Sequence, residues 1–186
     1  TITRHSVPEN LNVTHANGCV VHETIVSELN CKTLDAAVAV SLATVEEAVG
    51  FSTLGIGAGT ARLTIDEHRA VDVVLNEAFA HALKASGKVQ HLVFMSAAKA
   101  DPTAKTTGSG AAGMARYSRV KGESEEAVKC QGLAAVSIFR PAMIIGNPHT
   151  PALLGNLLQL FAFLTPQELL SIRITDLAQA MALRGL

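Results

Sequence analysis

The sequence predicts an α/β protein built on a doubly wound parallel sheet. Short apolar runs typical of buried strands alternate along the chain with segments whose apolar residues recur at helical spacing. Strands and helices that alternate at this length form a parallel sheet with right-handed crossovers, so helices cover both of its faces. With 186 residues, the chain is long enough for one domain with a buried core.

The clearest helix is predicted over 64–87. Thr64 and Glu67 have the spacing of a capping box, and Gly87 is a typical C-terminal stop. One apolar face is expected from residues at helical spacing, namely Val71, Val74, Leu75, Ala78, Ala82 and Leu83.

The remaining elements follow from the same patterns. Strands are predicted over 18–26, 47–55, 89–96 and 133–141. Helices are predicted over 33–48 with Thr33 as the cap, over 111–131 before Gly132, around 151–163, and from Thr175 to the C-terminus.

Composition excludes several classes of function. The net charge is −1 with no basic block, which argues against nucleic acid or an anionic membrane as the main partner. No apolar run reaches the ~18 residues of a membrane span. The cysteines are widely spaced and odd in number, which indicates free thiols in a reducing, cytoplasmic compartment. The histidines lack the tight spacing of metal ligands, so no metal site is expected.

Parallel sheets of this kind bind ligands at the carboxyl ends of their strands. The segments that follow the predicted strand ends are Arg4, 54–59, 96–99 and 141–147. We expect binding residues among them.

A candidate catalytic pair lies on the helix predicted over 111–131. Tyr117, the only tyrosine, is followed four residues later by Lys121, so the two side chains share a helix face. The usual pKa of a tyrosine is about 10, and a nearby ammonium lowers it. Such a pair can pass a proton to or from a carbonyl or alcohol oxygen. The alternative is an exposed helix pair without a function.

The motifs around this pair resemble those of the short-chain dehydrogenase/reductase superfamily. A strand ends in "VFMSAAKA", "YSRVKGESE" begins at Tyr117, and "VSIFRPAMIIG" ends the next strand. Together with "IRITDLAQAM", these segments are most similar to the atypical branch that contains the Tat-interacting-protein oxidoreductases. The resemblance extends from about residue 1 to 182, and it implies a Rossmann-like, NAD(P)-binding fold.

The resemblance implies catalytic roles. Tyr117 would be the general acid/base, and Lys121 would hold the cofactor ribose and lower the pKa of the tyrosine. The hydroxyl that assists the tyrosine in this superfamily would come from Ser96. That slot can instead fall on Ala97, which would remove a donor to the substrate oxygen and make Ser96 a structural serine.

The resemblance also implies cofactor-binding residues. Leu54 and Gly55, within "STLG", would lie along the phosphates and ribose of the cofactor, and Pro141 and Ala142 would pack against its nicotinamide. Arg4 would meet the 2′-phosphate of NADP through its forked donors; the alternative is a solvated terminal arginine. NADP is therefore the expected cofactor, and NAD is the alternative.

The glycine-rich turn that binds the pyrophosphate in such folds is a separate question. "GIGAG" at 55–59 follows a strand and precedes a helix, but it lacks the third-glycine spacing. A loop after the family's fourth strand is the better interpretation. The family's first strand, glycine turn and first helix would then precede Thr1. Without them we expect a gap between the family's second and fourth strands, with unpaired backbone groups on both sides.

Two functions remain open from the sequence. One is an NAD(P)H-dependent oxidoreductase that acts on a carbonyl or hydroxyl carbon of a small molecule, with Tyr117 as acid/base. The other is an NAD(P)H-sensing regulator of the same fold that docks other proteins. For both we expect a single domain over 1–186, with 147–186 as a small helical part on the substrate side. The resemblance to the superfamily also allows a homodimer whose interface is the helix that carries Tyr117.

Overall fold

The computed structural model describes residues 2–3, 24–57, 60, 63–106, 112–146 and 170–185. Its helices are α1 (Cys31–Ser41), α2 (Ile65–Arg69), α3 (Asn76–Ala85), α4 (Ala112–Cys130) and α5 (Ile174–Gly185). A π-helical turn, Ala70–Leu75, joins α2 to α3. The strands are β1 (Ile2–Thr3), β2 (Thr24–Ile25), β3 (Ala48–Ser52), β4 (Val89–Met95), β5 (Ala135–Phe139), β6 (Met143–Ile145) and β7 (Ser171–Arg173).

All strand pairs among these residues are parallel, which confirms the predicted α/β class. The main sheet has the order β3–β4–β5, and β1–β2 and β6–β7 form separate two-stranded sheets. In the main sheet Phe51 of β3 pairs with Val93 of β4, which pairs with Ser137 of β5. The three strands therefore end near one another at their carboxyl edge.

The central strand β4 is buried on both faces. Leu92 and Phe94 pack into one apolar cluster with residues of α1, α3 and α4. Val93, which points to the other face, packs with Leu177 and Met181 of α5. Helices therefore cover both faces of the main sheet, which is the predicted doubly wound arrangement. Burial of each such side chain contributes about 1.5–3 kcal/mol.

Helix α1 begins and ends earlier than predicted. Its N-cap is Asn30, whose side chain accepts a hydrogen bond of 3.0 Å from the amide of Thr33. The hydroxyl of Thr33 accepts one of 3.0 Å from the amide of Asn30 in return. Thr33 is therefore the third helical residue and not the cap. Both residue types are strong caps, so the sequence alone does not rank them.

The helix predicted over 64–87 has its expected start, and most of its expected apolar face is at least partly buried. The capping box is confirmed, since the amide of Glu67 donates to the hydroxyl of Thr64 at 3.2 Å and Glu67 accepts from the amide of Thr64 at 2.7 Å. The predicted apolar face is confirmed at Leu75, Ala82 and Leu83, which are buried, but it is wrong at Val74 because the π turn rotates the residues around it. Val74 is 44% exposed, whereas Asp72 and Asn76 are buried.

A cavity of about 620 Å³ separates Ile2 of β1 from the free edge of β3. Within the described part of the chain, β3 has β4 as its only paired neighbour. Gly50 lines the cavity along the strand, and Leu54 and Gly55 line it beyond the strand end.

Several predictions fall outside the described residues, namely Arg4, Cys19, positions 18–23 of the first predicted strand and the helix around 151–163. Cys31 and Cys130 are exposed free thiols. No helix in the described ranges is both long and apolar enough to cross a membrane.

Candidate active site

Tyr117 and Lys121 lie one turn apart on α4, whose inner face is buried against the π turn and α3. The helix is fixed against the loop that follows β4. The carbonyl of Ser118 accepts a hydrogen bond of 2.9 Å from the amide of Asp101. At Gly122 a Cβ would overlap the backbone of Asp101 and Pro102. This close approach requires glycine and sets the depth at which Tyr117 and Lys121 sit.

Salt bridges join α4 to α2 beside the pair. Glu123 accepts hydrogen bonds from Nε and Nη2 of Arg69, each at 2.7 Å. It also accepts one of 2.9 Å from Nε of Arg119, four residues earlier on its own helix. These contacts place the buried end of α2 next to Tyr117.

The ring of Tyr117 stacks on His68 of α2. The ring centroids are 5.8 Å apart and the planes differ by 24°. The Nζ atom of Lys121 lies 5.8 Å from the centroid of the tyrosine ring. Tyr117 is half-buried, whereas His68 is fully buried. The tyrosine ring therefore lies close to both an imidazole and an ammonium.

Lys121 forms a buried ion pair that the sequence does not predict. Its Nζ lies 2.6 Å from Oδ1 of Asp72, and the two side chains are 5% and 0% exposed. Oδ2 of Asp72 accepts a hydrogen bond of 3.0 Å from the amide of Ile56. The carboxylate thus connects α4 with the loop that follows β3.

Asn76, four residues after Asp72, also holds the loop that follows β3. Its Nδ2 donates to the carbonyl of Leu54 at 3.2 Å and to the carbonyl of Asp72 at 2.9 Å. Its Oδ1 accepts a hydrogen bond of 2.6 Å from the hydroxyl of Ser52 at the end of β3. The hydroxyl of Ser124 on α4 also donates to the carbonyl of Asp72. Every polar group of Asn76 is therefore used to hold the strand end against the π turn.

Gly55, which is predicted to lie along the cofactor, directly adjoins the ion pair of Lys121 and Asp72. A Cβ at this position would lie 2.8 Å from Nζ of Lys121 and 3.0 Å from Oδ1 of Asp72. The structure therefore brings together four residues that the sequence singles out, Tyr117, Lys121, Leu54 and Gly55.

The electrostatics of Tyr117 differ from the sequence-based expectation. Burial raises the pKa of Tyr117, and the negative charge of Asp72 raises it further. The prediction that Lys121 lowers the pKa of Tyr117 is wrong, because Asp72 neutralises the ammonium of Lys121. Burial lowers the pKa of His68 and outweighs the opposing charge of Asp72, so the imidazole is neutral at neutral pH.

Ser96 is buried beside Glu125, which lies about two turns beyond Tyr117 on α4. Burial alone would raise the pKa of Glu125, but Arg140 and then Ser96 stabilise the carboxylate and the pKa is lowered. The buried hydroxyl of Ser96 has no hydrogen-bond partner among the described residues, and both its catalytic and its structural role stay predictions. The next residue, Ala97, is also buried.

The segment after β5 is tied to the segment after β4. The carbonyl of Pro141 accepts a hydrogen bond of 2.9 Å from the amide of Ala98. Pro141 is half-buried and Ala142 is exposed, and their contact with a nicotinamide remains a prediction. Positions 58 and 59 of "GIGAG" lie outside the described residues, whereas Gly57 has a left-handed backbone with φ of 66°.

The sequence analysis missed His68, Asp72 and Asn76. These polar residues recur every fourth position, so they share one face of the helical segment 65–85. A polar stripe of this kind is usually read as the solvated face. No local signal distinguishes this stripe from a solvated face, because its burial depends on the π turn.

Solved structures with a similar fold share little sequence with this chain. A dTDP-4-dehydrorhamnose reductase from Clostridium acetobutylicum is 17% identical with a TM-score of 0.53, over 88% of this chain and 57% of that one. The Bordetella bronchiseptica enzyme WbmG, solved with NAD and UDP, is 12% identical with a TM-score of 0.54, over 98% and 58%. A short-chain dehydrogenase from Streptomyces avermitilis is 17% identical with a TM-score of 0.51, over 97% and 80%.

No protein-family model matches the chain, and no curated protein matches it significantly. The chain spans little more than half the length of the first two solved structures. At these identities the comparisons establish the fold, which is a Rossmann-like α/β fold of the kind found in short-chain dehydrogenases and related reductases.

Proposed function

We propose that the chain is part of an NAD(P)H-dependent oxidoreductase of the atypical short-chain dehydrogenase/reductase type, acting on a carbonyl or hydroxyl carbon of a small molecule. The observation that carries the proposal is the packing of Tyr117, Lys121 and Gly55 at the carboxyl edge of the main sheet. Ligands of parallel α/β folds bind at this edge. The presence of NAD in the WbmG structure supports the cofactor class.

The residues present fit a nicotinamide dinucleotide. Gly55 leaves open the position beside Lys121 that a Cβ would fill. Lys121 has three N–H donors, and its pairing with Asp72 leaves others for ribose hydroxyls. Arg4 would meet an adenosine 2′-phosphate, which makes NADP the preferred cofactor in this proposal and NAD the alternative. The reduced nicotinamide, when bound, supplies the hydride.

Tyr117 is the proton-transfer group in this proposal. Its phenol would donate a proton to the carbonyl oxygen during reduction, and the phenolate would take one from an alcohol in the reverse reaction. General acid–base catalysis by a positioned side chain contributes about 10²–10⁴-fold in rate. Pro141 and Ala142 would flank the nicotinamide ring.

The experiment combines binding with turnover. NADPH and NADH are titrated into the purified protein through nucleotide fluorescence, and carbonyl compounds are screened with wild type and Tyr117→Phe. We expect kcat to fall about 100-fold or more in the variant while cofactor affinity is retained. Lys121→Met should weaken NADPH binding, whereas Lys129→Met, an exposed control on the same helix, should not. A protein that binds neither nucleotide contradicts the proposal.

The second candidate is an NAD(P)H-sensing regulator of the same fold. The position of Ser96 favours it, because this residue lies beside Glu125, about two turns along α4 from Tyr117. The next residue, Ala97, has no hydroxyl to offer. NADPH binding without turnover of any carbonyl compound, unchanged by Tyr117→Phe, would support the regulator over the enzyme.

A further inference from the structure

Asp72 is a fully buried carboxylate at the meeting point of three elements of the fold. It lies on the π turn, its Oδ1 is 2.6 Å from Nζ of Lys121 on α4, and its Oδ2 accepts the amide of Ile56 in the loop after β3. Nε2 of His68 is 3.6 Å from the same Oδ1. Asp72 is buried within the π turn, whereas Val74, which a regular helical pattern places on the apolar face, is 44% exposed.

The same carboxylate dominates the charges around Tyr117. From α2 and the π turn, the tyrosine faces the neutral His68 and the charged Asp72. From its own helix it faces Lys121, and Arg116 is close enough to act on His68. The ammonium of Lys121 is paired with Asp72, so its field at the ring is largely cancelled.

We propose that Asp72 is a positioning residue for the Tyr117–Lys121 pair: its carboxylate fixes the ammonium of Lys121 against Gly55 and beside the ring of Tyr117. Asp72 does not contact substrate in this proposal and acts through the other two side chains. The inference rests on the proposed function in one respect. A neutral phenol is the form that can give a proton to a carbonyl oxygen, and the charge of Asp72 keeps Tyr117 in this form.

The test is a pH titration of tyrosinate absorbance. Tyr117 is the only tyrosine and the chain has no tryptophan, so the signal reports this phenol alone. Asp72→Asn leaves an unbalanced ammonium beside the ring, and we expect the midpoint to fall by at least ~1 pH unit. Asp66→Asn, an exposed control on α2, should leave it unchanged. Asp72→Glu keeps the charge and should hold the midpoint close to that of wild type.

Two results overturn the inference. One is a midpoint in Asp72→Asn at or above that of wild type. The other is a midpoint in Asp72→Glu as low as in Asp72→Asn. Circular dichroism at each pH shows that the titrated protein is folded.

A second measurement applies if Asp72→Asn does not fold, since a buried ammonium without its partner is strongly destabilising. The acylation rate of each lysine in the wild-type protein is then followed by mass spectrometry. Lys121 should react at least about tenfold more slowly than the exposed Lys129; equal rates overturn the inference. Neither measurement uses a cofactor or turnover, so a failure of this inference is distinguishable from a failure of the proposed function.

Discussion

Arg140 forms a two-pronged ion pair with Glu125 that connects two of the motifs of the chain. Its Nε and Nη2 lie 2.8 and 2.5 Å from the two carboxylate oxygens, and the side chain of Glu125 is 3% exposed. Arg140 directly precedes Pro141 at the end of β5, and Glu125 lies on the helix of Tyr117. The pair therefore fixes the helix of the proposed catalytic residue against a neighbouring strand end.

Arg140→Met should destabilise the protein, because it leaves the buried carboxylate of Glu125 without its strongest partner. We expect the free energy of unfolding to fall by about 2–3 kcal/mol, less than for a fully buried pair, since the Arg140 side chain is half exposed. Urea denaturation measures the change. Arg184→Met removes an exposed arginine that bonds Ser137 and should change stability by less than about 0.5 kcal/mol. Equal effects of the two substitutions would contradict this role.

The same pair predicts an acid limit to stability. The pKa of Glu125 is lowered in the folded protein, so the unfolded chain binds a proton more readily as the pH falls. The stabilisation is complete above the unfolded pKa of about 4.3 and is lost as the pH falls through the lower folded value. Urea denaturation across this range should show a weaker loss of stability in Arg140→Met than in wild type. Parallel pH profiles would show that other carboxylates dominate.

Gly55→Ala tests the contact between the binding loop and the ion pair. The new Cβ would lie 2.8 Å from Nζ of Lys121, and the flexible lysine would have to shift. We expect a loss of about 1 kcal/mol in unfolding free energy and a roughly tenfold weaker NADPH affinity. Calorimetric titration and urea denaturation measure the two effects. If Gly55→Ala binds NADPH with the affinity of the wild type, Gly55 is not part of the proposed binding site.

Gly122→Ala tests the close approach of α4 to the loop after β4. Alanine favours a helix over glycine by up to ~1 kcal/mol, yet its Cβ would overlap the backbone at Asp101 and Pro102. The overlap should dominate and reduce the free energy of unfolding by about 2 kcal/mol. Gly113→Ala on the same helix, where a Cβ meets nothing within 4 Å, should leave stability unchanged or slightly raised. Chemical denaturation measures the free energy of unfolding of both variants. Equal values would contradict the close contact between Gly122 and the loop after β4.

The main elements of the fold could be predicted because their signals are local. The capping box at Thr64 and Glu67, the glycine stops at Gly87 and Gly132, and the apolar run of β4 each act through neighbouring residues. The short strands β6 and β7 were missed, because segments of three residues carry too little pattern to distinguish them from loops.

The site could be predicted only where a motif marks it. Tyr117 and Lys121 are recognisable from their spacing, and Leu54 and Gly55 from their place after a strand. Asp72 could not be predicted, because its burial depends on a π turn that a period of 3.6 residues does not reveal. The direction of the change in the Tyr117 pKa was wrong for the same reason, since the charge of Asp72 was not foreseen.

The central claim is that a reduced nicotinamide binds beside Tyr117 and Lys121. Because Tyr117 is the only tyrosine in a chain without tryptophan, the emission that energy transfer to bound NADPH quenches comes from this residue alone. We predict that NADPH quenches the tyrosine emission in a saturable manner with a matching rise in sensitised nucleotide emission, and that Lys121→Met weakens both. Tyrosine emission that stays unchanged at saturating NADPH would contradict the account.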